Sequence, residues 1–143
     1  ASHFLPVTDL QSVPGHHTKR CYHYYFFYLP VCYKGITGKS YAYYNTSRSK
    51  NLYLPASVDE NYSYDIQLPE NLTLCTPIQE KKIDNPIGSF KITLTSEGSS
   101  LHIELALQIK KQLITPAEYP AFRSLITEWT DRTRKPILFK TVQ

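Results

Sequence analysis

The 143-residue chain contains no methionine, one tryptophan, three cysteines and only five glycines. Without methionine the natural start is not represented, so we expect a processed chain or, by preference, a piece of a longer protein with Ala1 as a cloning remnant. An odd number of cysteines permits at most one internal disulfide. Cys21 and Cys32 flank one strand-like segment and Cys75 is distant. Reduced, half-buried thiols are the expectation, and whether Cys21 and Cys32 pair stays open. Long hydrophobic runs are missing, since nothing approaches the ~18–20 apolar residues that span a membrane. The first residues also lack the basic start and apolar core of a secretory signal. Charge of one sign is scarce: 16 Lys and Arg stand against 12 Asp and Glu, a net charge of +4, with no basic run beyond pairs. Nucleic-acid binding calls for a concentrated basic face, so it is excluded as a reading.

What is present is aromatic. Twelve tyrosines and six phenylalanines suit pleated, half-buried surfaces. An aromatic-rich, methionine-free, strand-patterned chain fits an exported protein. The length suits one domain with a real core. We divide it into 1–20, a linker or the remnant of a preceding strand, and 21–143, the domain proper.

Strands dominate the pattern. Tyr22–Leu29 is apolar on both parities apart from His23, which predicts a strand covered on both sides or one whose aromatic bodies are buried with hydroxyls reaching water. Tyr41–Tyr44 and Leu52–Leu54 read as short strands. Asn61–Leu68 alternates, with Tyr62, Tyr64, Ile66 and Leu68 on one face. Leu72–Cys75 and Ile78–Ile83 are weaker strands. Ser89–Thr95 alternates again, and Leu101–Ile109 does so most clearly, with His102 on the solvent side. Leu-Pro recurs at strand ends because proline cannot donate to a ladder. Asn85-Pro86 and Glu97-Gly98 mark turns.

One segment breaks the pattern. Thr115-Pro116-Ala117-Glu118 is a capping-box sequence. Pro120 then interrupts the start, so a first turn over 116–119 and a main helix from Pro120 to about Thr130 are expected. Tyr119, Phe122, Ile126 and Trp129 recur at helical spacing, which makes Trp129 a core anchor. A lone amphipathic helix has only a sheet to cover. The expected fold is therefore an antiparallel β-sandwich of about seven to nine strands, with one late helix (about 116–131) and a closing strand over Ile137–Val142.

Reactive constellations are weak. His16, His17, Cys21 and His23 form one loose cluster rather than two spaced metal-ligand pairs, and read as loop histidines. Gly38-Lys39-Ser40 lacks the earlier glycine of a phosphate loop and the helix after it. Cys21 beside His23 has no helix start to lower its pKa. Asp59-Glu60 reads as a solvated loop pair. Ser99-Ser100 has no histidine nearby except His102. No catalytic residue, cofactor or metal is expected.

Several weak motifs occur in a fixed order: Tyr25–Pro30, Arg48 before Leu52-Tyr53-Leu54-Pro55, Asp59-Glu60, Tyr62-Ser63-Tyr64, Leu68-Pro69, Asn85 with Ile87-Gly88-Ser89-Phe90, and Thr115–Tyr119 with Phe122-Arg123 and Trp129. From Tyr22 to Lys140 the chain resembles the C-terminal β-sandwich domain that follows the catalytic core in transglutaminase-like proteins of the Bacteroidetes type. The papain-like core, with its Cys/His/Asp triad, is absent here, so no thiol chemistry carries over to any residue. The resemblance implies an exported, periplasmic accessory domain whose partner is the preceding core of the same polypeptide. The alternative is a free-standing glycan- or peptide-binding module with Tyr33, Tyr41, Tyr43 and Tyr53 as surface candidates. An accessory domain predicts an exposed apolar patch, and a glycan module predicts coplanar exposed rings.

Overall fold

The structure is a computed structural model that describes residues 2–5, 11–17, 20–31, 35–36, 47–77 and 79–142. Among the described residues, eleven strands and one helix follow in the order β1 (Ser2–Leu5), β2 (Gln11–His17), β3 (Arg20–Phe27), β4 (Leu52–Tyr53), β5 (Val58–Gln67), β6 (Thr73–Leu74), β7 (Gln79–Asn85), β8 (Gly88–Glu97), β9 (Ser100–Ile109), β10 (Leu113–Ile114), α1 (Tyr119–Arg134) and β11 (Ile137–Val142). Three of the strands are only two residues long, and the longer ones fall within the number expected from the pattern.

A five-stranded sheet runs β1-β5-β9-β8-β7, a four-stranded sheet runs β2-β3-β11-β6, and β10 pairs β4 in a small ribbon. All pairings are antiparallel except β1 with β5. The result is the expected β-sandwich with a late helix. The stretch 1–20, read from sequence as a linker or strand remnant, carries two strands. One lies beside β5 and the other beside β3. His16 and His17, expected in a loop, lie in β2 opposite Cys21 and Arg20.

Alternation explains the five-stranded sheet. Tyr64, Ile66, Phe90, Ile92, Leu94 and the odd-numbered residues of β9 from Leu101 to Ile109 are all buried. They meet Phe27, Ile137 and Phe139 of the other sheet in one continuous core. Two sheets that each bury one face reach this arrangement because neither can leave its apolar face in water.

Turn chemistry sets the register. Gly98 has φ +58, as a two-residue hairpin between Glu97 and Ser100 requires. Asn85 builds the preceding turn: its side-chain oxygen accepts from the backbone N–H of Ile87 (3.0 Å) and of Gly88 (3.3 Å). Its amide also donates to the Ala121 carbonyl in α1 at 3.2 Å, tying the turn to the helix. At Gly88 a Cβ atom would lie 1.8 Å from the Gln108 carbonyl oxygen, so only glycine permits this approach.

The capping box forms as the sequence predicts. Thr115 N–H donates to Glu118 Oε1 (3.2 Å), and Glu118 N–H donates back to Thr115 Oγ1 (3.3 Å). It closes a turn over residues 116–118, and the helix proper begins one residue before Pro120. The helix continues to Arg134, about one turn past the expected end at Thr130. Thr133 helps hold that turn by donating to the Trp129 carbonyl at 2.9 Å. Tyr119, Phe122, Leu125, Ile126 and Trp129 bury one side of the helix against β8 and β9. Trp129, 1% exposed, lies 6.0 Å from the Tyr62 ring, so it is the core anchor expected.

Candidate functional site

The groups with potential chemistry separate rather than converge. On the outer face of the five-stranded sheet, His102 Nδ1 lies 2.6 Å from Asp65 Oδ1 and Nε2 lies 3.3 Å from Glu104 Oε1. The hydrogen bond to Asp65, and then that to Glu104, raises the His102 pKa above its ordinary 6.5. Ser100 Oγ instead donates to Gln67 Oε1, and Gln67 Nε2 donates to Ser99 Oγ. Neither serine is in a hydrogen bond with the imidazole, so the arrangement is not a nucleophile with its base. Among the described residues no group of three His, Cys, Asp or Glu is placed to hold a metal ion.

Asp59 and Glu60 differ from the solvated loop pair expected, because both lie in β5. Glu60 Oε2 accepts from the Ile36 backbone N–H at 2.7 Å, and Oε1 accepts from the Tyr62 hydroxyl at 2.8 Å. The carboxylate fastens a distant loop to the sheet. Cys75 is a free, half-buried thiol whose pKa burial raises, while Lys140 partly offsets that rise. Cys32 lies outside the described residues, and the side chains of His16, His17 and Cys21 do so too. Gly38-Lys39-Ser40 and the expected strand Tyr41–Tyr44 are likewise outside them.

Of the tyrosines chosen as surface candidates, Tyr33, Tyr41 and Tyr43 lie outside the described residues. Tyr53 lies in β4 and is 72% exposed. Its cross-strand neighbour is the exposed Leu113 rather than a second ring.

A larger apolar surface lies on the four-stranded sheet. Along β3, Tyr25 and Phe27 turn into the core, while Tyr24, Phe26 and the following Tyr28 turn outward and stay partly or fully exposed. Leu138 stands opposite Phe26 in β11 and is itself exposed. The Phe26 and Tyr28 rings meet edge to face at 5.8 Å and 83°. The β3 sequence is thus covered on one face and half-exposed on the other, which departs from cover on both sides, one of the two readings the sequence allowed; the other had the aromatic bodies buried with hydroxyls reaching water. Leu29 and the carbonyl of Pro30 then turn inward. The Tyr64 hydroxyl donates to the Pro30 oxygen at 2.5 Å, joining the end of β3 to the other sheet. Burial, and then the charge of neighbouring Tyr62, pushes the Tyr64 phenol far above its ordinary pKa.

A cleft of about 470 Å³ opens where residues 47–48 pass the outer side of α1. Arg48 and Arg123 line it, with hydroxyls from Ser47, Ser124 and Thr127, and Tyr119 contributes to its wall. Arg48 Nε is buried and without a hydrogen-bond partner. A buried donor left unpaired costs about 1–3 kcal/mol, and more when charged. The cleft also contains Glu128, whose Oε1 lies 2.5 Å from Lys81 Nζ and whose Oε2 lies 3.9 Å from Arg132 Nε. Two cations, Lys81 and Arg132, therefore attend this carboxylate, while Arg48 and Arg123 line the same cleft without pairing to it. Sequence spacing gave no sign of this cleft, because Arg48 and Arg123 are far apart in the chain and come to line it only in the folded structure.

Comparison with known proteins agrees with the fold and adds a context. The chain is similar to a protein from Parabacteroides distasonis whose crystal structure is described as that of a "putative protease", with a TM-score of 0.72 and 27% sequence identity. The match covers 97% of this chain and 26% of that one, so this chain spans about a quarter of its neighbour's length. No curated protein matches. The family defined as a domain of unknown function with a solved structure, DUF3858, matches residues 22–139, from the middle of β3 to the middle of β11, and the chain belongs to it.

Proposed function

We propose that this domain is a non-catalytic accessory module of a longer, exported, transglutaminase-like polypeptide, and that it docks on the preceding core through the outer face of its four-stranded sheet. The observation that carries this reading is the row Tyr24, Phe26 and Tyr28 beside Leu138, an apolar surface on an otherwise well-packed domain. Contiguous apolar surface of this kind marks interaction sites. Aromatic residues supply large contact area at low entropic cost, and interfaces are enriched in them. The neighbour from Parabacteroides is long enough to hold such a core, since the match covers 26% of it. A glycan platform fits the same rings less well, because Phe26 and Tyr28 stand at 83° rather than coplanar.

The test starts with the native gene product. Intact mass from source cells is expected to be several times that of this chain. Hydrogen exchange on that product, compared with the isolated domain, is expected to slow in β3 and β11 and to stay unchanged on the outer face of β8 and β9. A native product of about this size, or unchanged exchange in β3 and β11, overturns the reading.

A further inference from the structure

We propose that the cleft between residues 47–48 and α1 is a binding site for the carboxylate of an acidic peptide segment. This inference is independent of the docking face, which lies on the other sheet. Three observations carry it. First, Arg48 and Arg123 share the cleft, and neither has a carboxylate within ion-pair distance among the described residues. Second, Arg48 Nε is buried and lacks an acceptor in a residue that is otherwise half-buried, so part of its guanidinium is already withdrawn from water. Third, Glu128, the one carboxylate lining the cleft among the described residues, is engaged by Lys81 and faces Arg132, so it leaves the site positive rather than neutral.

The chemistry selects the ligand class. Guanidinium groups present paired N–H donors that match the two oxygens of a carboxylate. The hydroxyls of Ser47, Ser124 and Thr127 add uncharged donors at the rim. Tyr119 and the prolines beside it provide an apolar wall suited to the aliphatic stem of a glutamate. The cleft volume of about 470 Å³ accommodates a short peptide stretch rather than a folded surface.

The experiment titrates the 143-residue chain with a blocked tri-glutamate peptide, its tri-glutamine counterpart and inorganic phosphate, following the arginine Nε–Hε signals by NMR. Tri-glutamate is expected to shift the Arg48 and Arg123 signals saturably and to bind more weakly as salt rises. Tri-glutamine is expected to leave them in place. Arg123→Gln is expected to weaken binding about tenfold, the scale of one charge-assisted contact. Arg123 is exposed, so this variant retains the fold even if Arg48→Gln does not. Arg48→Lys is expected to weaken binding as well, because an ammonium cannot reproduce the fork. No saturable shift, an equal response to tri-glutamine, or unchanged affinity in Arg123→Gln overturns the proposal. Saturation by phosphate at lower concentration than by tri-glutamate also overturns it, and reassigns the cleft to phosphate.

Discussion

On the outer face of the five-stranded sheet, Asp65, His102, Glu104 and Lys91 form a surface of mixed charge. On the outer face of the four-stranded sheet, Tyr24, Phe26, Tyr28 and Leu138 face the same solvent. Both sheets contribute their other face to one core, so the demands of folding are the same for each and do not explain the difference. A sheet whose inner face is already covered needs nothing apolar outside. The polar lattice is what folding alone predicts, and the aromatic row is the departure that asks for a partner. The edges follow the same logic. The five-stranded sheet ends at β7 with exposed Lys81 and Lys82, charges that discourage pairing with another chain.

The two outer faces are comparable only if the inner faces are complete, and Trp129 tests that most severely. Trp129→Ala removes the side chain that covers Tyr62 and is expected to cost about 3–5 kcal/mol in urea denaturation. A loss under about 1 kcal/mol would mean that the helix is not a true lid on the sheet. Thr115→Ala unfastens the start of the same lid. It removes one half of the capping box and is expected to cost about 1 kcal/mol.

Two smaller effects separate the outer faces directly. Tyr28→Ser and Leu138→Ser are expected to change the stability of the isolated domain by no more than about 0.5 kcal/mol each, as exposed positions do, while raising its solubility. A loss above about 1 kcal/mol would make the aromatic row a structural element and remove its value as a docking surface. On the opposite face, the raised pKa of His102 sets a sign for pH dependence. Its contribution to stability is fully present below the unfolded-state pKa of 6.5 and is lost as pH rises through the higher folded-state value. His102→Gln is expected to flatten that part of the stability–pH profile. The effect is small because the pair is exposed, and an unchanged profile would show that the ion pairs contribute nothing.

Much of the fold was legible because period and punctuation agreed. Leu101–Ile109 alternates without exception, Gly98 supplies the positive φ its hairpin needs, and Thr115 with Glu118 announces the helix. The closing strand begins and ends where Pro136 and the alternation place it. The first twenty residues were harder to read because Pro14-Gly15 reads as a turn, yet the chain runs through both in β2. The parallel partnership of β1 with β5 joins residues about sixty positions apart, which no local pattern encodes. The candidate docking face was hidden by its own composition. In Tyr22–Leu29 both parities are apolar, so the sequence could not tell the covered side from the open one. The arginine cleft was invisible for a different reason, since a site made of two distant cations has no spacing to read.

The hydroxyl of Tyr64 crosses from one sheet to the backbone at the end of β3, and it does so as a donor. A phenolate has no proton to give, so ionisation would turn this latch into two facing oxygens. Burial already raises the pKa of that phenol, so the folded chain resists the loss while the unfolded chain, at its ordinary 10.0, does not. As pH climbs past 10.0 the unfolded chain gives up this proton more readily than the folded one, so the ring contributes a loss of stability in alkali. Tyr64→Phe removes the latch and the titration together, and so exchanges some stability at neutral pH for tolerance of base.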